Sequence, residues 1–182
     1  DAIVAEGFEA GGHNGFAETT TLSLIPAIKE VVDIPIIAAG GIASGRAMLA
    51  AMSLGADGVQ VGSRFVASTE SSAHENFKLE VLKAKDGDTK LTLKELVPVR
   101  LLKNNFFNQV EDAYQKNSSK EELAELLGRG RAKKGMFEGD LVEGELEIGQ
   151  ISASINDILP AAEIIKNMVK EYNKILDELK KL

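Results

Sequence analysis

The 182-residue chain contains no cysteine and no tryptophan, two histidines, four prolines and only 5% aromatic residues. The missing thiols exclude disulfides, thiolate nucleophiles and cysteine-ligated metals, and they fit a cytoplasmic protein. No apolar run reaches the ~18 residues of a membrane span, and no signal peptide is evident, so no membrane association is expected. Positive charge is also short. Twenty-one Lys and Arg face 28 Asp and Glu, a net charge of −7, which argues against nucleic acid or an anionic membrane as partner. Internal repeats and low-complexity tracts are absent. With 44% hydrophobic and 27% charged residues, the chain suits an ordinary globular domain.

What is present concentrates in a few glycine-rich corners. Residues Glu6 to Gly15 read EGFEAGGHNG directly after the apolar run Ala2-Ile3-Val4-Ala5. This places carboxylates, small turn residues and His13 at the end of a short strand, where parallel α/β proteins collect their chemistry. The alternative is a glycine-rich turn that carries a solvated histidine. Two further strand-like runs follow. Pro35 to Ala39 ends in Gly40-Gly41-Ile42, and Gly58 to Val61 ends in Gly62-Ser63-Arg64. Helical patterns lie between them, over Thr21 to Val32 and over Gly45 to Leu54. In the second, Ser44 is the N-cap, Met48, Ala51 and Met52 form an inward face, and Gly55 is the stop. Strand, helix, strand, helix, strand is the βα rhythm of parallel sheets and barrels.

The glycine turns suggest a phosphate-bearing ligand. Backbone N–H groups of successive βα loops hold phosphates, and a Cβ would keep the anion away from them. Gly40 and Gly41 would supply one set of amides, Gly62 and Ser63 the other, with the Ser63 hydroxyl as an added donor. For Arg64, pairing with a neighbouring carboxylate is favoured over a phosphate contact.

Together, AEGFEAGGHNG, Thr19 to Thr21, PIIAAGGIASGRAM and LGADGVQVGSRFVAS resemble the carboxyl-terminal half of the nitronate monooxygenase family, formerly 2-nitropropane dioxygenase. The family includes the flavin-dependent enoyl-acyl-carrier-protein reductase II. The stretch from Glu138 through Gly144 to Gly149 and Gln150 resembles its closing segment. The resemblance implies an FMN-binding TIM (β/α)8 barrel. It places Gly11 near the isoalloxazine ring, Gly40 and Gly41 on the phosphate from one loop, and Gly62 and Ser63 from the next. Gln60 becomes a flavin or loop contact. His13 matches the acid–base histidine, and Glu9 either orients the loop, pairs with a cation or is purely structural. No metal site is expected.

Only three βα units are visible, whereas such a barrel has eight strands over ~250 residues. Residues 1–68 are therefore expected to be the last three barrel units, and 69–182 a mostly helical extension that closes the active site. The partner implied is the missing amino-terminal half. In the extension, Ser71 to Lys85 reads as a helix with His74 at its start as a surface or capping residue. A turn at Asp86-Gly87-Asp88 follows, then an extended Val97 to Leu102, a helix near Asn105 to Gln115, and another from Ser118 or Ser119 to Gly128. Four cations between Arg129 and Lys134 are either a solvated loop or a patch for the phosphates of a nucleotide or carrier arm. Pro160 to Leu182 is an amphipathic helix for packing or for a homodimer.

Two activities compete within the resemblance, and the first is the reading adopted, with the second as its alternative. One is oxidation of alkyl nitronates by molecular oxygen through FMN, with His13 removing the α-proton of a neutral nitroalkane. The other is hydride transfer from NADH or NADPH through FMN to an enoyl thioester. A third reading is a structural half with no activity of its own.

Overall fold

The three apolar runs become three parallel strands in the computed structural model, which describes residues 1–181. Strand β1 (Ile3–Glu6), strand β3 (Ile36–Ala39) and strand β4 (Gly58–Gln60) lie in the order β1-β3-β4. Ile3 pairs with Ile36, and Ile37 with Gly58, so all three strands end at one edge. The crossover helices are α1 (Thr21–Lys29) and α2 (Gly45–Ser53). Buried Ala5, Ile25, Ile36, Ala38 and Ala51 fill the layer between sheet and helices. The Ser44 hydroxyl caps α2 by accepting from the Ala47 amide at 3.2 Å.

The buried face of α2 is Gly45, Leu49 and Ala51 rather than the expected Met48, Ala51 and Met52. The reason is α7 (Ala161–Leu179), which packs across α2. At Gly45 a Cβ would come 2.1 Å from the Met168 carbonyl oxygen, so the two backbones touch there only because the residue is glycine. The expected end of this helix at Leu182 lies outside the described residues. Among those residues no helix is long and apolar enough to cross a membrane.

A second sheet was not legible in the sequence. Strand β2 (Gly12–His13), strand β5 (Thr89–Thr92) and strand β6 (Val99–Leu102) form an antiparallel sheet in the order β2-β6-β5. The segment beyond residue 68 thus holds strands as well as helices: α4 (Glu75–Lys83), α5 (Asn105–Gln115) and α6 (Lys120–Leu127). A short α3 (Ser63–Val66) starts at the third glycine turn. His74 is the N-cap of α4, its Nδ1 accepting from the Asn76 amide at 3.1 Å. Ser119 and Glu122 close a reciprocal capping box on α6.

Arg100, on β6, joins the two sheets. Its side chain is fully buried, and its guanidinium donates to the Phe8 carbonyl at 2.7 Å and to the Ala10 carbonyl at 3.1 Å. The same group stacks on the Phe8 ring at 4.4 Å. Burial works against its charge, and the nearby Glu9 and Glu18 offset that. Replacing Arg100 with Met would leave two carbonyls without their donor, and we expect a loss of about 2–4 kcal/mol in urea unfolding.

Candidate active site

Each parallel strand runs into a glycine turn, and the three turns meet around one cleft of about 240 Å³. Its lining includes Gly11, Gly40, Gly41, Gln60, Gly62 and Ser63, so the structure gathers all six residues expected to hold a cofactor. Gly40 and Gly41 have φ of +95° and +71°, a backbone path that L side chains resist. At Gly40 a Cβ would also stand 2.7 Å from the Gly7 carbonyl oxygen. Gly62 differs: its φ is −102°, and a Cβ there would meet nothing within 4 Å. What glycine provides at this position is room. Among the described residues, the amides of Gly41, Ile42, Gly62 and Ser63 donate to no protein acceptor. Four unpaired donors around one hollow suit an anion of several oxygens.

The cleft is fixed from behind by backbone-level contacts. Glu9 accepts from the Thr21 amide at 3.0 Å and from the Thr21 hydroxyl at 3.0 Å, placing a carboxylate at the amino end of α1. These bonds tie the Glu9 loop to α1. Gly11 passes so close to the segment Ile148-Gly149 that a Cβ would lie 2.3 Å from the Gly149 nitrogen. The glycine here serves packing between chain segments. Ser63 Oγ accepts from the Gly149 amide at 2.9 Å, and the Gln150 amide donates to the Glu9 carbonyl at 3.0 Å. The segment around Gly149 therefore does return to the cleft, and Ile148 and Ile151 form part of its wall.

Residues 1–171 match the family described as nitronate monooxygenase. The chain belongs to that family. A probable nitronate monooxygenase of Staphylococcus saprophyticus is 35% identical over 190 residues, covering 97% of this chain and 52% of the relative. Among solved structures, FabK from Thermotoga maritima is 40% identical with a TM-score of 0.92, covering all of this chain and 57% of that one. A nitroalkane oxidase from Streptomyces ansochromogenes is 32% identical with a TM-score of 0.78, covering 98% of this chain and 53% of the other. The chain spans about half the length of the curated relatives it matches. The α/β fold is that of these TIM-barrel enzymes over the matched length, and the family is one of flavin-dependent oxidoreductases.

In this nitronate monooxygenase family member, His13 does not line the cleft. It is exposed on β2, paired in register with Val99, one residue beyond the cleft-lining Gly12. The wall instead holds three carboxylates, Glu6, Glu9 and Glu147, and no lysine or arginine. Burial raises the Glu6 carboxyl above its ordinary range. It does the same to Glu147, offset by the nearby His13. Glu145 is pushed up to about 7, chiefly by burial and then by the charge of Glu147, against a smaller pull from Arg131. Neither Glu145 nor Glu147 is marked by a sequence motif. Their alternation along an extended segment, Glu145-Leu146-Glu147-Ile148, was the available signal, since alternate residues share a face.

Three of the four cations of the basic run engage neighbouring acceptors, while Arg129 is exposed. Arg131 donates to the Leu127 carbonyl at 2.8 Å and the Glu143 carbonyl at 2.7 Å, and stacks on Phe106 at 4.4 Å. Lys133 pairs with Glu138 and Lys134 with Asp140, at 3.0 and 3.1 Å, around a π-helical turn over Lys133–Phe137. Arg64, buried, pairs with Asp157, the carboxylate partner favoured over a phosphate.

Glu145 makes stability depend on pH in a defined sense. Its folded value, about 7, lies above the ordinary 4.5, so the fold favours the protonated form. The contribution is fully present below pH 4.5 and is lost as pH rises through about 7. We expect unfolding measured from pH 5 to 8 to show a decline of about 2–3 kcal/mol from this group, and Glu145→Gln to flatten it.

Proposed function

We propose that the intact protein binds FMN through the Gly40-Gly41 and Gly62-Ser63 turns and oxidises alkyl nitronates with molecular oxygen. The observation that carries this reading is the set of four unpaired amides lining one cleft, with open space where Gly62 lacks a Cβ. A phosphate held in this way needs no cation, which agrees with the absence of basic residues from the cleft wall. Bound FMN would supply the electron-transfer chemistry that links substrate to oxygen.

The chain's own residues orient and exclude. Ile42, Val66, Met136, Ile148 and Ile151 give the cleft an apolar lining for a flat ring, and Gln60 offers an amide at its floor. Gly11 and Gly12 line the cleft and His13 follows them directly in the chain, so we assign His13 the contact with a substrate entering there. A histidine suits removal of the α-proton of a nitroalkane, because its ordinary pKa lies near neutrality. The C–H electron pair then delocalises onto the nitro group, and the proton rests on the imidazole.

The parallel sheet also bears on completeness. β1 and β4 each have one strand neighbour, and parallel sheets are normally covered and continued at both edges. We take the segment equivalent to the relatives' other half to continue both edges and to complete the flavin site.

The likeness to FabK favours a second reading, hydride transfer from NADH or NADPH to an enoyl thioester. The engagement of Arg131, Lys133 and Lys134 with neighbouring acceptors weighs against a phosphate-rich co-substrate docking on that run.

An anaerobic flavin spectrum of the intact protein separates the two. Bleaching by an alkyl nitronate and not by NADH or NADPH is the expected result; bleaching by a pyridine nucleotide would select the reductase. Gly62→Val is expected to weaken FMN binding at least tenfold while changing unfolding stability by less than about 0.5 kcal/mol, since the position is open and its φ ordinary. His13→Ala should keep the flavin and lose nitroalkane turnover.

A further inference from the structure

One residue of the cleft wall comes from an irregular turn. Met136 lines the cleft and belongs to the π-helical turn over Lys133–Phe137, where the Glu138 amide donates to the Lys133 carbonyl at 3.1 Å. Turns of this kind are rare and recur at functional sites.

The backbone of the turn is held firmly. The Met136 carbonyl accepts from the His74 amide at 2.8 Å. A Cβ at Gly135 would stand 2.5 Å from the Glu145 carbonyl oxygen, so the turn lies directly against the start of the next cleft segment. On the exposed side, Lys133 pairs with Glu138 and Lys134 with Asp140. What is left free to adjust is the side chain. The other large apolar residues of the wall, Ile42, Val66, Ile148 and Ile151, are all β-branched and stiff at χ1. Met136 alone among these is unbranched, and a thioether chain adapts its shape to what it touches.

The segment Glu145 to Gly149 gives the position of Met136 along the cleft. It is paired with β6, Glu147 bridging Leu101 and the Leu102 amide donating to the Leu146 carbonyl at 2.8 Å. It begins against Gly135, reaches over Gly12 with Glu147, and passes Gly11 at Ile148. It ends where the Gly149 amide donates to Ser63 Oγ at 2.9 Å. Four steps of extended chain span about 13 Å. The Met136 turn therefore meets the wall at one end of this segment and the anion-holding turn at the other, with Gly12 and the start of the histidine loop between them.

We propose that Met136 sets how long an alkyl chain the cleft accepts, its side chain forming an adjustable end wall against which the substrate's chain rests. The proposal rests on the alkyl substrate named above. It gives the irregular turn a purpose: a rigid backbone carries one adaptable side chain to the end of the cleft remote from the phosphate.

The test uses the intact protein and ligands that need no turnover. Straight-chain primary amides from propanamide to octanamide are titrated calorimetrically into wild type, Met136→Ala and Met136→Phe. Their neutral planar head resembles a nitro group, and an enoyl thioester would present the same kind of chain. The affinity ratio of octanamide to propanamide is expected to rise roughly fivefold or more in Met136→Ala and to fall by a similar factor in Met136→Phe, since methylenes in an apolar pocket change binding on this scale. The kcat/KM ratio for the nitronates of 1-nitrooctane and 1-nitropropane is expected to move in the same two directions. Amide ratios that shift in opposite directions without any nitronate turnover would support the role of Met136 and remove the functional reading instead. Equal ratios in all three proteins, shifts of one sign in both variants, or no amide binding to wild type would each overturn the proposal. So would failure of both variants to fold, which would assign Met136 a purely structural role.

Discussion

The buried guanidinium of Arg100 is the contact on which the site's geometry depends. The loop from Phe8 to Ala10 leaves a parallel strand and must turn its carbonyls somewhere. The loop is partly buried, and unmet carbonyls are expensive. Arg100 meets them from the neighbouring antiparallel sheet, with the Phe8 ring covering its face. The glycine loop is thereby pinned to β6, and β6 in turn sets where β2 and the Glu147 segment lie. Two sheets of different kind thus act as one frame.

Within that frame the glycines divide by physical role. Gly40 and Gly41 supply a backbone path that other residues resist, Gly11 and Gly45 let chain segments touch, and Gly62 leaves a volume empty. The distinction matters because a glycine-rich motif is usually read as a ligand site throughout. Here the ligand reading is strongest where the Cβ would meet nothing, and weakest where it would strike another part of the chain. Gly11 belongs to the second kind, although it also borders the cleft.

The electrostatic character of the cleft is acidic, whereas the cofactor proposed for it carries a phosphate. Unpaired backbone amides line the same cleft as the carboxylates, and their partial positive charges are what the site offers an anion. Glu9 is committed to Thr21 at the start of α1, and burial favours the protonated forms of Glu6, Glu145 and Glu147. The carboxylates therefore oppose a bound phosphate less than their number implies.

The sequence by itself determined the parallel strands, their order and the glycine turns at their ends, because each strand is a short apolar run bounded by Pro or Gly and each helix carries a local period. It also determined the cap at Ser44 and narrowed those at His74 and at Ser118 or Ser119, because caps act within three residues. The family resemblance was legible for the same reason: its motifs are contiguous. Tertiary structure alone decided the second sheet, since Thr89–Thr92 becomes a strand only by pairing with Val99–Leu102. It alone decided that the basic run folds onto its own acidic neighbours, that α2 turns Leu49 inward beneath α7, and that Arg100 and Glu147 belong beside a loop near the other end of the chain. The Arg100 contacts span 90 and 92 residues, and no local pattern encodes which distant backbone will arrive.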